Sequence, residues 1–151
     1  MPVNPELVGR EFPPTAPYLV GREKVREFAR AVFADAPQHT DVAAAQALGH
    51  ADVVAPPTFA MVIQDLTLQQ LLSQPDSGIV LARTIHAEQR FAYSRPIVAG
   101  DELVGRLSVT GIRAMGAASM VTSEAEITDA QGEHVVTATS VLLIGDEEAA
   151  A

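Results

Sequence analysis

The stretch Phe59-Ala60-Met61-Val62-Ile63-Gln64-Asp65-Leu66-Thr67-Leu68-Gln69-Gln70-Leu71-Leu72-Ser73 decides the fold. Its apolar residues Phe59, Val62, Ile63, Leu66, Leu68, Leu71 and Leu72 spread over much of a helix circumference instead of one stripe. A helix of that character has to be surrounded by the rest of the chain. Pro56-Pro57 in front of it forbids regular pairing and sets Thr58 as an N-cap or early helix residue. Gln74-Pro75-Asp76-Ser77-Gly78 breaks it at the other end.

Downstream, everything reads as strand, with period-two stretches bounded by turn residues. The expected strands cover about 84–94, 102–112, 119–129 and 133–144. In the third, Val121, Ala125 and Ile127 alternate with Thr122, Glu124 and Glu126, the pattern of a sheet with one wet face. Asp129-Ala130-Gln131-Gly132 is a hairpin turn. Upstream, Tyr18 to Val20 reads as a short strand, and Gly21 caps a helix to about Phe33 with Val25, Phe28, Ala29 and Val32 on one face. A second short helix has Thr40 as N-cap, Asp41 in its first turn and Gly49 as its stop. The order, helices and then an antiparallel meander around one apolar helix, is that of an α+β domain.

Composition bounds the chemistry. The 151 residues, 48% hydrophobic and 19% charged, suit one folded domain spanning 1–151, with 146–151 expected to be a disordered tail. Without cysteine there is no disulfide, thiolate metal site or cysteine nucleophile, and no histidine pair has metal-site spacing. A net charge of −9 argues against nucleic-acid partners. The amino terminus has neither a basic region nor an apolar run, and no stretch is long enough to span a membrane, so a cytoplasmic location is expected.

The run Gln89-Arg90-Phe91-Ala92-Tyr93-Ser94-Arg95-Pro96-Ile97-Val98-Ala99-Gly100-Asp101 resembles the strand-and-turn signature of MaoC-like dehydratases, which are hot-dog-fold proteins. Alternate aromatics pack one face, Pro96 ends the pairing and Gly100-Asp101 turns the chain. Val8-Gly9-Arg10, the helix opening at Gly21 to Phe28, and the segments Ala47 to His50 and Ala55 to Phe59 resemble one branch of that family, the substrate-holding A-type subunit of actinobacterial (3R)-hydroxyacyl-ACP dehydratase. The resemblance implies an antiparallel sheet wrapped around a central helix. It implies an acyl thioester on acyl carrier protein or CoA as substrate, no cofactor, and a dimer with a catalytic hot-dog subunit or with itself.

Catalytic members of the family carry Asp-x-Asn-Pro-x-His. The matching stretch here is Ala34-Asp35-Ala36-Pro37-Gln38-His39, so only Pro37 and His39 are in register and Asp35 stands one residue out of place. Hydration of an enoyl thioester needs one group to move the water proton and another to exchange the proton at the α-carbon, and losing one leaves a poor site. The family also stabilises the thioester oxygen with a backbone N–H at the start of the central helix. Pro56-Pro57 stands there in this chain, and proline has no N–H to donate, which weakens that stabilisation and leaves Thr58 or Phe59 to supply the N–H.

The expected catalytic residues are accordingly His39 and Asp35, with His39 alternatively a loop histidine supporting the next helix and Asp35 a solvated carboxylate. Pro57, Thr58, Phe59, Val62 and Leu66 are expected substrate contacts, the apolar ones alternatively ordinary core, and Arg95 is an expected phosphate contact or a solvated strand end. The leading expectation is a dehydratase subunit that shelters the acyl chain beside a catalytic partner. The alternatives are a self-sufficient homodimeric hydratase using Asp35 and His39, and a non-enzymatic acyl-thioester binding protein.

Overall fold

The computed structural model describes residues 2–146. Its strands are β1 (Tyr18–Leu19), β2 (Thr84–Tyr93), β3 (Glu102–Ala114), β4 (Ala118–Thr128) and β5 (His134–Gly145). Its helices are α1 (Arg22–Ala31), α2 (Val42–Ala47) and α3 (Ala60–Leu72). The strands form one antiparallel sheet in the order β1-β3-β4-β5-β2, and α3 packs across β3, β4 and β5. No helix among the described residues is long and apolar enough to cross a membrane.

The face of α3 that meets the sheet carries Ala60, Ile63, Gln64, Thr67, Leu68 and Leu71, all buried. Each fully buried aliphatic side chain such as Ile63 or Leu71 contributes roughly 1.5–3 kcal/mol. At Gly105 of β3 helix and sheet are in close contact, and an added Cβ would lie 2.7 Å from Thr67 Cγ2. Two polar residues are therefore part of the core. Thr67 gives its hydroxyl to the Gln64 carbonyl at 2.7 Å. Gln64 donates to the Ala138 carbonyl at 3.4 Å and accepts from the Gln89 amide at 2.6 Å. Val62 and Leu66 lie on the other side of α3, half-buried beside exposed Asp65 and Gln69, so the helix is not enclosed all round by this chain.

The two edges of the sheet differ. Beyond β1, the free side of β3 is covered by the amino-terminal segment. Gly9 donates to the Val109 carbonyl, Thr15 donates to the Gly105 carbonyl at 2.9 Å, and Gly105 donates back to Thr15 Oγ1 at 2.9 Å. β2 at the opposite edge pairs with β5 alone among the described residues, so its outer side is open there. It carries a bulge between His86 and Glu88, and Ile85 is 63% exposed.

Three local expectations change. Asp41, not Thr40, caps α2, because its carboxylate accepts from the Ala43 N–H at 3.0 Å while Thr40 closes the preceding 3-10 turn Pro37–His39. α1 ends at Ala31 instead of Phe33: Ala34 donates to the Ala29 carbonyl and Phe33 to Arg30, a closure that puts Phe33 at φ 57. That leaves Val32 exposed, outside the buried stripe of Val25 and Ala29. At the carboxyl end, Asp146 donates to the Ala117 carbonyl at 3.0 Å, and residues 147–151 of the expected tail lie outside the described residues.

Candidate functional site

Three backbone segments converge just ahead of α3. Val54 donates to the Gln38 carbonyl at 2.9 Å, Ala55 to Ile97 at 2.8 Å, and Ala99 to Val53 at 3.0 Å. Residues 53–55 are thereby stitched to the turn that carries His39 on one side and to the chain leaving β2 on the other. Between them lies a cavity of about 500 Å³, lined by Gln38, His39, Val54, Ala55 and Pro57 and by the run Tyr93 to Ile97. A second, polar cavity of about 380 Å³ lies against Gly9 to Phe12 and shares no residue with it.

His39 is buried, and its Nδ1 lies 2.6 Å from the Val54 carbonyl oxygen. A carbonyl only accepts, so Nδ1 carries the hydrogen and the neutral ring keeps its lone pair on Nε2. The backbone thus holds one tautomer and one orientation of the ring. Asp35 is exposed and does not line the cavity. The structure does not bring the two expected catalytic groups together in this cavity.

At the start of α3, the 3-10 turn Pro57–Phe59 replaces an ordinary capped terminus. Tyr93 gives its hydroxyl to the Pro57 carbonyl at 2.5 Å. Burial pushes the phenol up to about 12, opposed by the neighbouring Ala60 N–H, so Tyr93 is a neutral hydroxyl at any physiological pH. Its oxygen stands against the Ala60 N–H with which α3 begins. Pro57 lines the cavity, and Thr58 is exposed outside it. Phe59 is in the core, edge-on to Phe28 with ring centroids 5.2 Å apart, and Val62 and Leu66 lie further along α3 without lining the cavity.

Arg95 does line the cavity, but its guanidinium is already engaged. It bonds both carboxylate oxygens of Asp101, at 2.9 and 3.1 Å, and Asp129 at 3.2 Å. Asp101 also accepts the Val98 N–H, and Asp129 accepts those of Gln131 and Glu133. Arg95 is the clasp between the end of β2, the start of β3 and the β4–β5 hairpin. Tyr93 reads in the sequence only as a packing aromatic, and Gln38 and Ser94 carry no signal there. Among the described residues no group of His, Cys, Asp or Glu is arranged to hold a metal ion.

Residues 6–138 match the family model of the FAS1-like dehydratase domain region, and the chain belongs to that family. It is 59% identical over 148 residues to a UPF0336 protein of Leifsonia xyli subsp. xyli, covering 97% of this chain and 99% of the other. Among solved structures it is similar to the C-terminally truncated HadBC (3R-hydroxyacyl-ACP dehydratase) complex of Mycobacterium tuberculosis. That similarity is 33% identity at a TM-score of 0.79, over 88% of this chain and 92% of that one. A MaoC-like dehydratase matches at 37% identity and a TM-score of 0.83, over 93% of this chain but 43% of the other. The antiparallel sheet around α3 is the hot-dog fold of these neighbours, and the family supports a hydro-lyase kind of reaction.

Proposed function

We propose that the chain is the substrate-holding subunit of a (3R)-hydroxyacyl-thioester dehydratase and works beside a homologous hot-dog subunit with a complete Asp/His dyad. The observation that carries this reading is the half-built site: His39 is oriented in the cavity by Val54, while Asp35 is exposed outside it. A lone imidazole serves one of the two proton transfers the reaction needs. The Tyr93 hydroxyl at the start of α3 supports the same reading, since it stands where the thioester oxygen would need free donors.

The open β2 edge and the half-buried Val62 and Leu66 favour a partner that continues the sheet and covers α3. The acyl chain then runs between that partner and the outward side of α3.

Turnover of a trans-2-enoyl thioester by the purified chain, with and without a candidate catalytic subunit, tests the proposal. Activity only in the mixture is expected. Full activity from the chain alone, lost on His39→Ala, overturns it in favour of a self-sufficient hydratase.

A further inference from the structure

Ser94 and His134 form a second polar arrangement at the same cavity. Ser94 Oγ lies 2.5 Å from His134 Nδ1, and His134 Nε2 lies 2.8 Å from Thr137 Oγ1. The sheet imposes this juxtaposition: Ser94 follows the last residue of β2 and donates its N–H to the Val135 carbonyl at 2.8 Å, beside the start of β5. Ser94 is exposed and lines the cavity that His39 occupies, whereas His134 is half-buried behind it. With the hydrogen on Nε2, His134 donates to Thr137 and leaves Nδ1 free to accept from Ser94, so one neutral tautomer satisfies both contacts. A hydroxyl on an imidazole that a third group holds in place is the arrangement that activates a serine.

We infer that Ser94 and His134 are an acyl-accepting pair that cleaves the thioester brought to this cavity. Ser94 Oγ bonds to the thioester carbon as its proton passes to His134 Nδ1. The carbon–sulfur bond then breaks, and the thiolate leaves with that proton, so the acyl group remains as an ester on Ser94. Water attacks the ester and gives a proton to His134. The acid is released as Ser94 takes the proton back. The balance is thioester plus water to carboxylic acid plus thiol, and it needs no other reactant.

Thr137 stands where serine hydrolases place a carboxylate, and disabling that carboxylate in a serine protease lowers kcat by about 10⁴-fold. The pair therefore acts slowly, removing acyl groups that linger at the cavity instead of competing with rapid hydration.

The inference rests on the reading of the cavity as a thioester site, and a saturated acyl-CoA separates the two because it can neither gain nor lose water across its chain. The full-length protein, alone and together with the candidate catalytic subunit, is incubated with it while free thiol is measured and intact mass is followed for an acyl adduct. Binding of the corresponding thioether analogue is measured in parallel by calorimetry. Thiol release at least ten-fold above the buffer rate is expected, with an adduct on Ser94, and both are lost in Ser94→Ala and His134→Gln. Circular dichroism of both variants checks that they are folded. Thiol release that persists in Ser94→Ala overturns the pair. Absence of release while the thioether binds also overturns it and leaves the thioester reading standing. Absence of both with the catalytic subunit present overturns the two together.

Discussion

The imidazole of His39 and the carbonyl of Val54, 15 residues apart in sequence, are joined by a 2.6 Å hydrogen bond that sets which ring nitrogen faces the cavity. If His39 only lines a holding site, His39→Ala lowers turnover by the complex with its catalytic partner by less than about ten-fold, where loss of general acid–base catalysis lowers it by 10²–10⁴-fold. It also leaves the Val54 carbonyl without its donor, at roughly 1–3 kcal/mol in stability. Steady-state kinetics of the complex and urea denaturation of the chain measure the two effects separately.

Arg95→Ala opens the clasp between Asp101 and Asp129 and lowers stability by roughly 1–3 kcal/mol. The variant also changes the acid response. Burial alone would raise the Asp129 carboxyl, but the Glu133 N–H, Arg95 and the Gln131 N–H outweigh it and hold the group below its ordinary range. A depressed carboxylate contributes stability that is complete above its unfolded value and is lost as the pH falls through the folded value. The wild-type Tm therefore falls below about pH 4, and in Arg95→Ala it starts lower and falls less steeply there. Calorimetric scans between neutral pH and pH 2 test this. An equal acid slope in both proteins contradicts the assignment.

Gly105→Ala tests how tightly α3 is seated. The new methyl group meets Thr67 Cγ2, which belongs to a stiff β-branched side chain in a buried helix and has little freedom to move away. Overpacking of this kind costs about 1–3 kcal/mol. Pairing Gly105→Ala with Thr67→Ser, which removes the opposing methyl, restores part of the loss in chemical denaturation.

Leu66→Ala and Phe59→Ala separate substrate contact from core. Phe59 is fully buried against Phe28, so its truncation costs about 3–5 kcal/mol and makes any kinetic change hard to interpret. Leu66 is half-buried on the outward side of α3, so its truncation is milder for the fold. With the catalytic partner present, Leu66→Ala should shift the ratio of kcat/KM for long and short enoyl thioesters at least five-fold. An unchanged ratio removes Leu66 from the acyl path.

The strands and the central helix were legible because their signals are local. Alternation in β4 and the turn at Asp129 to Gly132 place the meander, and the apolar run from Ala60 marks α3. What was not legible depends on residues far apart in sequence. Gln64 reads as a polar interruption of an apolar helix, and only the fold brings it to Gln89 and the Ala138 carbonyl. Arg95 reads as a free strand-end cation until Asp129 arrives from the β4–β5 hairpin. Asp35 and His39 are close in sequence, yet the 3-10 turn from Pro37 buries the histidine and leaves the aspartate outside. Proximity in sequence and proximity in the cavity therefore disagree at the two residues on which the chemistry turns.

The amino-terminal segment that bonds to Gly105 and Val109 makes the two ends of the sheet unequal. A sheet with two open ends can recruit copies indefinitely and grow into a fibre. Here β3 is already bonded to its own chain and the edge beyond it is the two-residue β1, so among the described residues the ten-residue β2 is the long edge from which strand addition can start. On the proposed function, a partner that joins at β2 uses up that end in both participants. Such an assembly would have a definite size of two, and covering β3 is what would make it stop there.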